Sequence, residues 1–313
     1  MRPEKSTADR AAAFESERGR LTGLAYRMLG TLADAEDVMQ DAWLRWEGAA
    51  PHEVKKPGAY LSAIVTRLCL DRLKQARRYR EVYVGPWLPE PILADPAAAS
   101  DTEEIIGSDI TFALMLALER LSPLERAAFI LHDIFEMPFG EIAPLLERSE
   151  PACRQLAKRA RDHVRKSRPR FTVAPEEAEK VAAAFFSASK SGDLDRLGRL
   201  LAENTELHSD GGGRKIAALN VIHGAPKVAR FYAGIARKPA YRPPLWSQQM
   251  RINNLPANMT INGDGTREVT LVEVVGNAVT SVYIIRNPDK LERLWKQVGE
   301  PDDKAMPPGT ALN

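Results

Sequence analysis

The sequence has few of the residues that build disulfide frameworks and metal centres. Its 313 residues include only two cysteines, Cys69 and Cys153, and five histidines. Each cysteine falls on the apolar face of a predicted helix, so we expect buried free thiols rather than a disulfide or a metal site. No metal or other cofactor is expected from this composition.

Long apolar runs are also missing. A membrane-spanning helix needs about 20 consecutive apolar residues, and neither such a run nor a signal-peptide pattern occurs. We therefore expect a cytoplasmic protein. The net charge is only +2, so any surface that binds nucleic acid must come from local clusters of basic residues. The length predicts two or three domains.

A helical pattern with one basic face runs from Leu121 to Lys166. Ser122-Pro123-Leu124-Glu125 predicts a capped helix start, and Met137-Pro138 ends that helix. A short helix and a further helix after Ser149 follow. The last helix carries four basic residues opposite its apolar face, Arg154, Lys158, Arg161 and Arg165, with Gln155 beside them. The candidate DNA-binding residues among these are Arg154, Gln155, Lys158 and Arg161. Two short helices with such a face predict a helix-turn-helix, although a small bundle with a solvated basic face fits the same periodicity.

An acidic face is predicted nearer the N-terminus. Asp34 is a candidate N-cap of a helix that buries Trp43 and Trp46. Asp37, Asp41 and Leu44 share the opposite face at i, i+4 and i+7. Complementarity to the helix dipole explains the carboxylates of the first turn but explains Asp41 poorly. The sequence therefore predicts a partner-binding surface here.

The next predicted helix, which starts after Pro57-Gly58, ends in a basic run. Tyr60, Tyr79 and Tyr83 flank it, and basic side chains beside aromatic rings suit single-stranded or melted nucleic acid. A solvated, Arg-rich helix end is the alternative. The candidate DNA-binding residues on this helix are Arg67, Arg72, Lys74, Arg77 and Arg78.

A proline-rich stretch then changes the character of the chain. Prolines at positions 86, 89, 91 and 96 favour an extended linker. Trp87 and Leu88 are unusually apolar for a linker, so we expect this segment to lie against a protein surface.

These motifs together resemble the extracytoplasmic-function (ECF) sigma factors of bacteria. Asp34-Ala-Glu-Asp-Val-Met-Gln-Asp-Ala-Trp-Leu-Arg-Trp46 and the helix through Lys74 resemble sigma region 2, and residues 121–156 resemble region 4. Trp87-Leu-Pro-Glu-Pro91, Asp210-Gly-Gly-Gly-Arg214 and Asn287-Pro-Asp-Lys-Leu291 are similar to motifs of a subgroup with a fused C-terminal domain. In that subgroup the glycine motif ends in Lys, whereas this chain has Arg214.

The resemblance implies a multidomain chain with two all-α domains and a C-terminal α+β domain. Its segments would be region 2 over 10–80, a Pro-rich linker over 81–107, region 4 over 108–170, a SnoaL-like regulatory domain over 175–298 and a disordered tail over 301–313. The Asp37, Asp41 and Leu44 face would bind the β′ clamp helices of core RNA polymerase. The helix ending near Arg80 would bind the −10 promoter element, and the helix after Ser149 would read the −35 element.

The C-terminal third has the pattern of helices followed by an antiparallel sheet. Helices are predicted over 176–189, from a cap at Asp193 through Leu201, and over 226–235. Hairpin turns are predicted at Asn262–Gly265 and Gly276-Asn277. Strands are predicted over 206–209, 216–221, 247–255, 268–275 and 278–286. This order is similar to the SnoaL-like cone, a fold that does not imply activity.

Catalysis in this domain would need a base and a proton donor that converge. The candidates are Asp210, His208, His223 and Tyr283. Asp210 sits at a Gly-rich turn, where an Asx-type cap is the more natural role. We therefore expect no catalytic residue.

The sequence thus predicts a sigma factor that acts with core RNA polymerase and is regulated in cis by its C-terminal domain. The alternative is a helix-turn-helix regulator that works without polymerase and carries a ligand-sensing or enzymatic SnoaL-like domain. Regulation would depend on docking between the linker and the C-terminal domain. The residues predicted for this docking are Trp87, Leu88, Pro89, Asp210, Gly211, Gly212, Gly213, Arg214, Asn287, Pro288 and Asp289.

Overall fold

A computed structural model describes residues 7–49, 56–80, 83–93, 112–167 and 173–299. The predicted tail over 301–313 lies outside these residues, as do residues 81–82 and 94–107 of the predicted 81–107 linker. The chain divides into two compact units. One takes residues 1–81 and 94–168, and the other takes 82–93 and 169–313. The segment with Trp87 and Leu88 therefore belongs to the same unit as the C-terminal domain.

The first unit is helical. The described helices are α1 (Thr7–Leu29), α2 (Leu32–Glu47), α3 (Pro57–Arg80), α4 (Phe112–Glu119), α5 (Pro123–Phe129), α6 (Phe139–Leu146) and α7 (Glu150–Ser167). Helix α4 is not predicted from the sequence. A π-helical turn at Ile130–Ile134 continues α5. Both cysteines are free and buried, as predicted, and burial raises the pKa of the Cys69 thiol. No helix in the described part of the chain is long and apolar enough to cross a membrane.

Local sequence explains most helix ends in this unit. Ser122 and Glu125 form the predicted capping box of α5. Helix α6 ends at Glu147, which takes a left-handed conformation with φ 54° although it is not glycine. The predicted cap of α2 is wrong. Thr31 is the N-cap, and its hydroxyl accepts the N–H of Asp34, because the helix starts earlier, at the buried Leu32.

A buried arginine joins the two halves of this unit. The Arg126 side chain on α5 donates to the Leu118 carbonyl at 2.8 Å and to the Met28 carbonyl at the end of α1 at 2.7 Å. It also forms an ion pair with Glu119. An arginine with several donors can satisfy carbonyls left open at helix ends. This contact fixes α1 against α5.

The second unit is α+β. Its helices are α8 (Pro175–Ser191), α9 (Leu194–Leu200), α10 (Ala225–Ala236) and α11 (Pro288–Val298), and Asp193 caps α9 as predicted. Its strands are β1 (Leu201–Asp210), β2 (Ile222–His223), β3 (Trp246–Ile252), β4 (Leu255–Ile261), β5 (Arg267–Val275) and β6 (Ala278–Ile285). They form one sheet in the order β2-β1-β6-β5-β4-β3.

Three predictions for the sheet are wrong. The sheet is not wholly antiparallel, because β1 pairs with β6 in parallel. Residues 216–221 form no strand. The prediction relied on apolar residues such as Ile216, but Ile216 is 86% exposed and does not face a core. The predicted strand 247–255 is the end of one strand and the start of another, because Asn253 and Asn254 take positive φ and form the β3–β4 turn. The two predicted hairpin turns are present.

Candidate functional sites

The carboxylate of Asp210 holds the linker segment, defined here as residues 83–93. Asp210 ends β1 and is fully buried. Its Oδ1 accepts the Tyr83 hydroxyl at 2.6 Å, and its Oδ2 accepts the Leu88 N–H at 2.9 Å. The N–H of Gly212 also donates to Oδ1, at 3.0 Å. A buried carboxylate is tolerated when its oxygens are hydrogen-bonded in this way.

Lys290 on α11 supplies the opposite charge. Its Nζ lies 2.7 Å from Asp210 Oδ2 and also donates to the Leu88 carbonyl. The ammonium lies 4.1 Å from the centre of the Trp87 ring, within cation–π distance. The N–H and the C=O of Leu88 are therefore both hydrogen-bonded, and its side chain is fully buried. Burying such a side chain contributes roughly 1.5–3 kcal/mol.

A second attachment lies further along the linker segment. Asn253 exchanges two hydrogen bonds with Ile92: its Oδ1 accepts the Ile92 N–H, and its own N–H donates to the Ile92 carbonyl, both at 2.9 Å. Leu93 forms an isolated bridge with Ile252. Glu90 is buried and lies 3.9 Å from Arg293. The segment is therefore attached at both ends. The amide of Asn287 also donates to the Tyr83 hydroxyl, at 3.0 Å. We call Asp210, Asn253, Asn287 and Lys290 the linker-holding site.

The glycine loop, defined here as residues 210–214, has no room for a side chain at Gly211 or Gly212. A Cβ on Gly211 would collide with the Lys215 carbonyl. Gly212 has φ 62°, and a Cβ there would collide with the Asn287 amide, which donates to the Tyr83 hydroxyl at 3.0 Å. Arg214, which ends the glycine motif, pairs with Asp289 on α11 at 3.2 Å between exposed side chains.

The predicted acidic face lies on α2. Leu44 is 60% exposed, which is unusual for a leucine in this chain. Arg72 of α3 reaches the same face, with its guanidinium 3.2 Å from both Asp37 and Asp41. The structure therefore brings Arg72, predicted to bind DNA, beside the predicted polymerase-binding residues. Arg67 and Lys74 are exposed elsewhere on α3, and Lys74 pairs with Asp71. The side chains of Arg77 and Arg78 lie outside the described part.

The predicted recognition helix is α7. Arg154, Gln155 and Lys158 are exposed near its N-terminal half. Arg154 lies 3.2 Å from Glu150 one turn earlier, in an exposed pair. Arg161 is half-buried and donates to Asp133 at 2.6 Å. Three of the four predicted residues thus present their side chains to solvent. Arg161 instead binds Asp133 in the π-helical turn after α5.

Comparisons with known proteins identify the family. Residues 13–79 match the family model for Sigma-70 region 2, and residues 111–164 match that for Sigma-70 region 4. The ECF RNA polymerase sigma factor SigJ of Mycobacterium tuberculosis is 38% identical over 288 residues, which cover 88% of this chain and 91% of SigJ.

The chain belongs to the ECF sigma factors. The crystal structure of M. tuberculosis SigJ matches with a TM-score of 0.73 at 36% identity and covers 90% of this chain and 98% of that chain. The probable ECF sigma factor SigI of the same species is 28% identical over 292 residues, covering 92% and 97% of the two chains. As a sigma factor, the protein acts in transcription initiation with core RNA polymerase and promoter DNA. The predicted order of helical regions followed by an α+β domain is confirmed.

The sigma factor carries a cavity of about 600 Å³ in its C-terminal unit. Side chains alternate between the two faces of a strand. Ser209 and Ile284 line this cavity, whereas their neighbours His208 and Tyr283 point to the other face, with ring centres 5.5 Å apart. Of the described residues, the cavity lining includes none of the four candidates for catalysis, Asp210, His208, His223 and Tyr283.

Three residues of the linker-holding region were missed as site residues by sequence reasoning. Tyr83 flanks the basic run in the sequence, which gave no indication that its hydroxyl donates to Asp210. Lys290 belongs to the Asn287–Leu291 motif but is not among the predicted docking residues. Its signal was a lysine among the apolar positions Leu291 and Leu294 of an amphipathic helix. Asn253 had no recognisable signal, because its turn was read as strand.

Proposed function

We propose that this ECF sigma factor is regulated in cis by its C-terminal unit, which holds the linker between regions 2 and 4. The observation that carries the proposal is the buried Asp210–Lys290 pair, which engages both peptide groups of Leu88. The linker segment leads directly from the residues matched to region 2 toward those matched to region 4. Holding or releasing the linker segment would change the distance that the linker can span between regions 2 and 4.

The polymerase contact is assigned to the α2 face of Asp37, Asp41 and Leu44. An exposed leucine beside carboxylates is a suitable centre for an interface with a basic partner. Arg72 pairs with both carboxylates, so a basic partner would have to share them with Arg72 or displace it. The partner surface we infer is the β′ clamp helices of core polymerase.

The promoter contacts are assigned to α7 and α3. Arg154 and Gln155 lie near the N-terminal end of α7, where recognition helices approach base edges. Lys158 and Arg161 suit phosphate contacts. On α3, Arg67, Arg72, Lys74, Arg77 and Arg78 would serve the melted −10 element. The ion pairs of Arg72 and Arg161 mean that these two would have to exchange an internal partner for DNA.

The test is run-off transcription with purified core polymerase on a promoter library. We expect the full chain plus core polymerase to select promoters with a shared −35 and −10 sequence. Core polymerase alone should select none. Tight binding of duplex promoter DNA without polymerase, and no promoter selection with it, would favour the alternative of a polymerase-independent regulator.

A further inference from the structure

The cavity of the C-terminal unit has the size and lining of a ligand site. Its volume of about 600 Å³ falls within the roughly 300–1,000 Å³ typical of small-molecule pockets. Aromatic rings from α8 and α10 and from the chain after α10 form part of its wall: Phe186, Phe231, Tyr232 and Tyr241. Asn258, Thr260 and Thr270 supply polar groups from β4 and β5. Such a lining suits a molecule with an apolar ring and a polar end.

The residues that line the cavity include a tyrosine whose hydroxyl lacks a hydrogen-bond partner. The Tyr232 hydroxyl is buried and has no hydrogen-bond partner among the described residues. An unsatisfied buried hydroxyl destabilises the fold, and native structures contain few of them. Burial, followed by the charge of Glu268, raises the pKa of Tyr232 well above its usual value, so the hydroxyl keeps its proton. It is therefore an unused hydrogen-bond donor in the wall of the cavity.

The charges of the lining favour an anion. Five lining residues are cationic and two are acidic. Arg286 lies 3.3 Å from Glu268, and Arg214 pairs with Asp289 outside the cavity. The remaining cations are Lys190, Lys215 and Lys238.

Lys190 is linked to the polar lining through Ser247, whose hydroxyl lies 2.9 Å from Oδ1 of the lining residue Asn258. Its Nζ donates to the neutral hydroxyl of Ser247 at 2.9 Å. Partial burial lowers the pKa of Lys190. A ligand anion would offset that desolvation.

The cavity shares a wall with the loop that holds the linker. Residues 214–218 line the cavity and continue directly from the glycine loop, where the Lys215 N–H donates to the Gly211 carbonyl at 3.0 Å. Arg286 joins the two sides, because it lines the cavity and its guanidinium donates to the Ile216 carbonyl, while its backbone N–H donates to the Asp210 carbonyl at 2.7 Å. A movement of this wall on ligand binding would therefore shift the backbone at Asp210.

We propose that the cavity binds a small organic anion, a carboxylate with an apolar ring or chain, and that its occupancy is coupled to the linker-holding site. The Tyr232 hydroxyl and Lys190 would bind the anionic group, and the aromatic wall would enclose the apolar part. The coupling rests on the proposed regulation in cis, whereas the binding itself does not. Coupling must be reciprocal, so a change at the linker-holding site must also change affinity in the cavity.

The test uses the full chain and two matched probes, 2-naphthylacetate and its neutral amide, in isothermal titration calorimetry. We expect one carboxylate site per chain and at least tenfold weaker binding of the amide. Lys190→Gln and Tyr232→Phe should each weaken carboxylate binding at least fivefold. Lys180→Gln is the control, since this exposed lysine lies on the same helix and pairs with Glu177. Equal affinity for the two probes, no binding, or an unchanged affinity in Lys190→Gln would overturn the site.

The coupling has its own measurement without polymerase. Trp87→Ala removes a linker side chain that lies outside the cavity lining, and the probe affinity should shift at least threefold. A circular-dichroism melting curve confirms that the variant is folded. An unchanged affinity would reject the coupling while leaving the binding site intact. Failure of regulation in cis would instead appear in transcription assays, so the two outcomes are separable.

Discussion

Asp210 Oδ2 lies 2.7 Å from Lys290 Nζ, and both groups bond to the backbone of Leu88, which neither neighbours in sequence. The pair is buried, so it depends on the linker segment to complete its hydrogen bonds. The linker segment in turn depends on the pair, because the peptide groups of Leu88 would otherwise be buried without partners. This mutual dependence is the physical basis of the proposed regulation.

The first prediction concerns the stability of this pair. Asp210→Asn keeps the shape of the side chain but removes the negative charge that lies 2.7 Å from the buried Lys290 Nζ. We expect a loss of roughly 3–5 kcal/mol in the unfolding free energy of the C-terminal unit. Hydrogen exchange of β1 and α11 measures it. The control is Asp289→Asn, which removes an exposed partner of Arg214 and should cost less than about 1 kcal/mol. Similar losses in both variants would contradict the account.

The second prediction concerns core polymerase. Asp41→Lys reverses a charge on the α2 face and releases Arg72, and we expect binding to core polymerase to weaken by roughly 1–3 kcal/mol. A co-purification titration measures the affinity. Glu15→Lys, which reverses an exposed charge on α1, should leave the affinity within about 0.5 kcal/mol of wild type. If both variants bind as wild type does, the face is assigned wrongly.

The third prediction separates base reading from phosphate binding on α7. Arg154→Ala should relax selection at one or two positions of the −35 element, because arginine at this end of a recognition helix contacts base edges. Lys158→Ala should weaken all promoter sequences alike. Promoter selection from a randomised library, sequenced after run-off transcription, measures both. A wild-type selection profile for Arg154→Ala would reject its assigned role.

The fourth prediction is a pH dependence. Burial raises the pKa of Glu273 above its usual value of 4.5, although Ser281 and Tyr283 hydrogen-bond to its carboxylate. The folded chain thus holds this proton more tightly than the unfolded chain. The contribution of Glu273 to stability therefore falls as pH rises above 4.5 and levels off beyond its raised pKa. Glu273→Gln cannot titrate, so its stability relative to wild type should increase over that window in denaturant titrations. A difference that stays constant with pH would contradict this.

Local patterns predicted most of the helices and the two Gly-containing hairpin turns. The capping box at Ser122 and the cap at Asp193 act through neighbours three residues away, so the sequence was sufficient to find them. The parallel β1–β6 pairing, by contrast, joins strands more than 70 residues apart, and no local period reports it.

The same limit applies to the linker-holding site. Apolar Trp87 and Leu88 in a proline-rich segment correctly indicated a surface contact within the second unit. The Asp210–Lys290 pair could not be predicted, since it forms between residues 80 positions apart and depends on burial. Its regulatory role stays a prediction.

The central claim is that holding the linker segment controls transcription, and run-off transcription from a selected promoter tests it most directly. The measurement compares wild type with Trp87→Ala and Gly212→Glu, at saturating core polymerase. Gly198→Glu is the matched control, because a Cβ at Gly198 has no atom within 4 Å in the described structure. The account predicts that Trp87→Ala and Gly212→Glu each change transcript yield at least threefold, in either direction, while Gly198→Glu does not. Wild-type yield from both linker variants would contradict it.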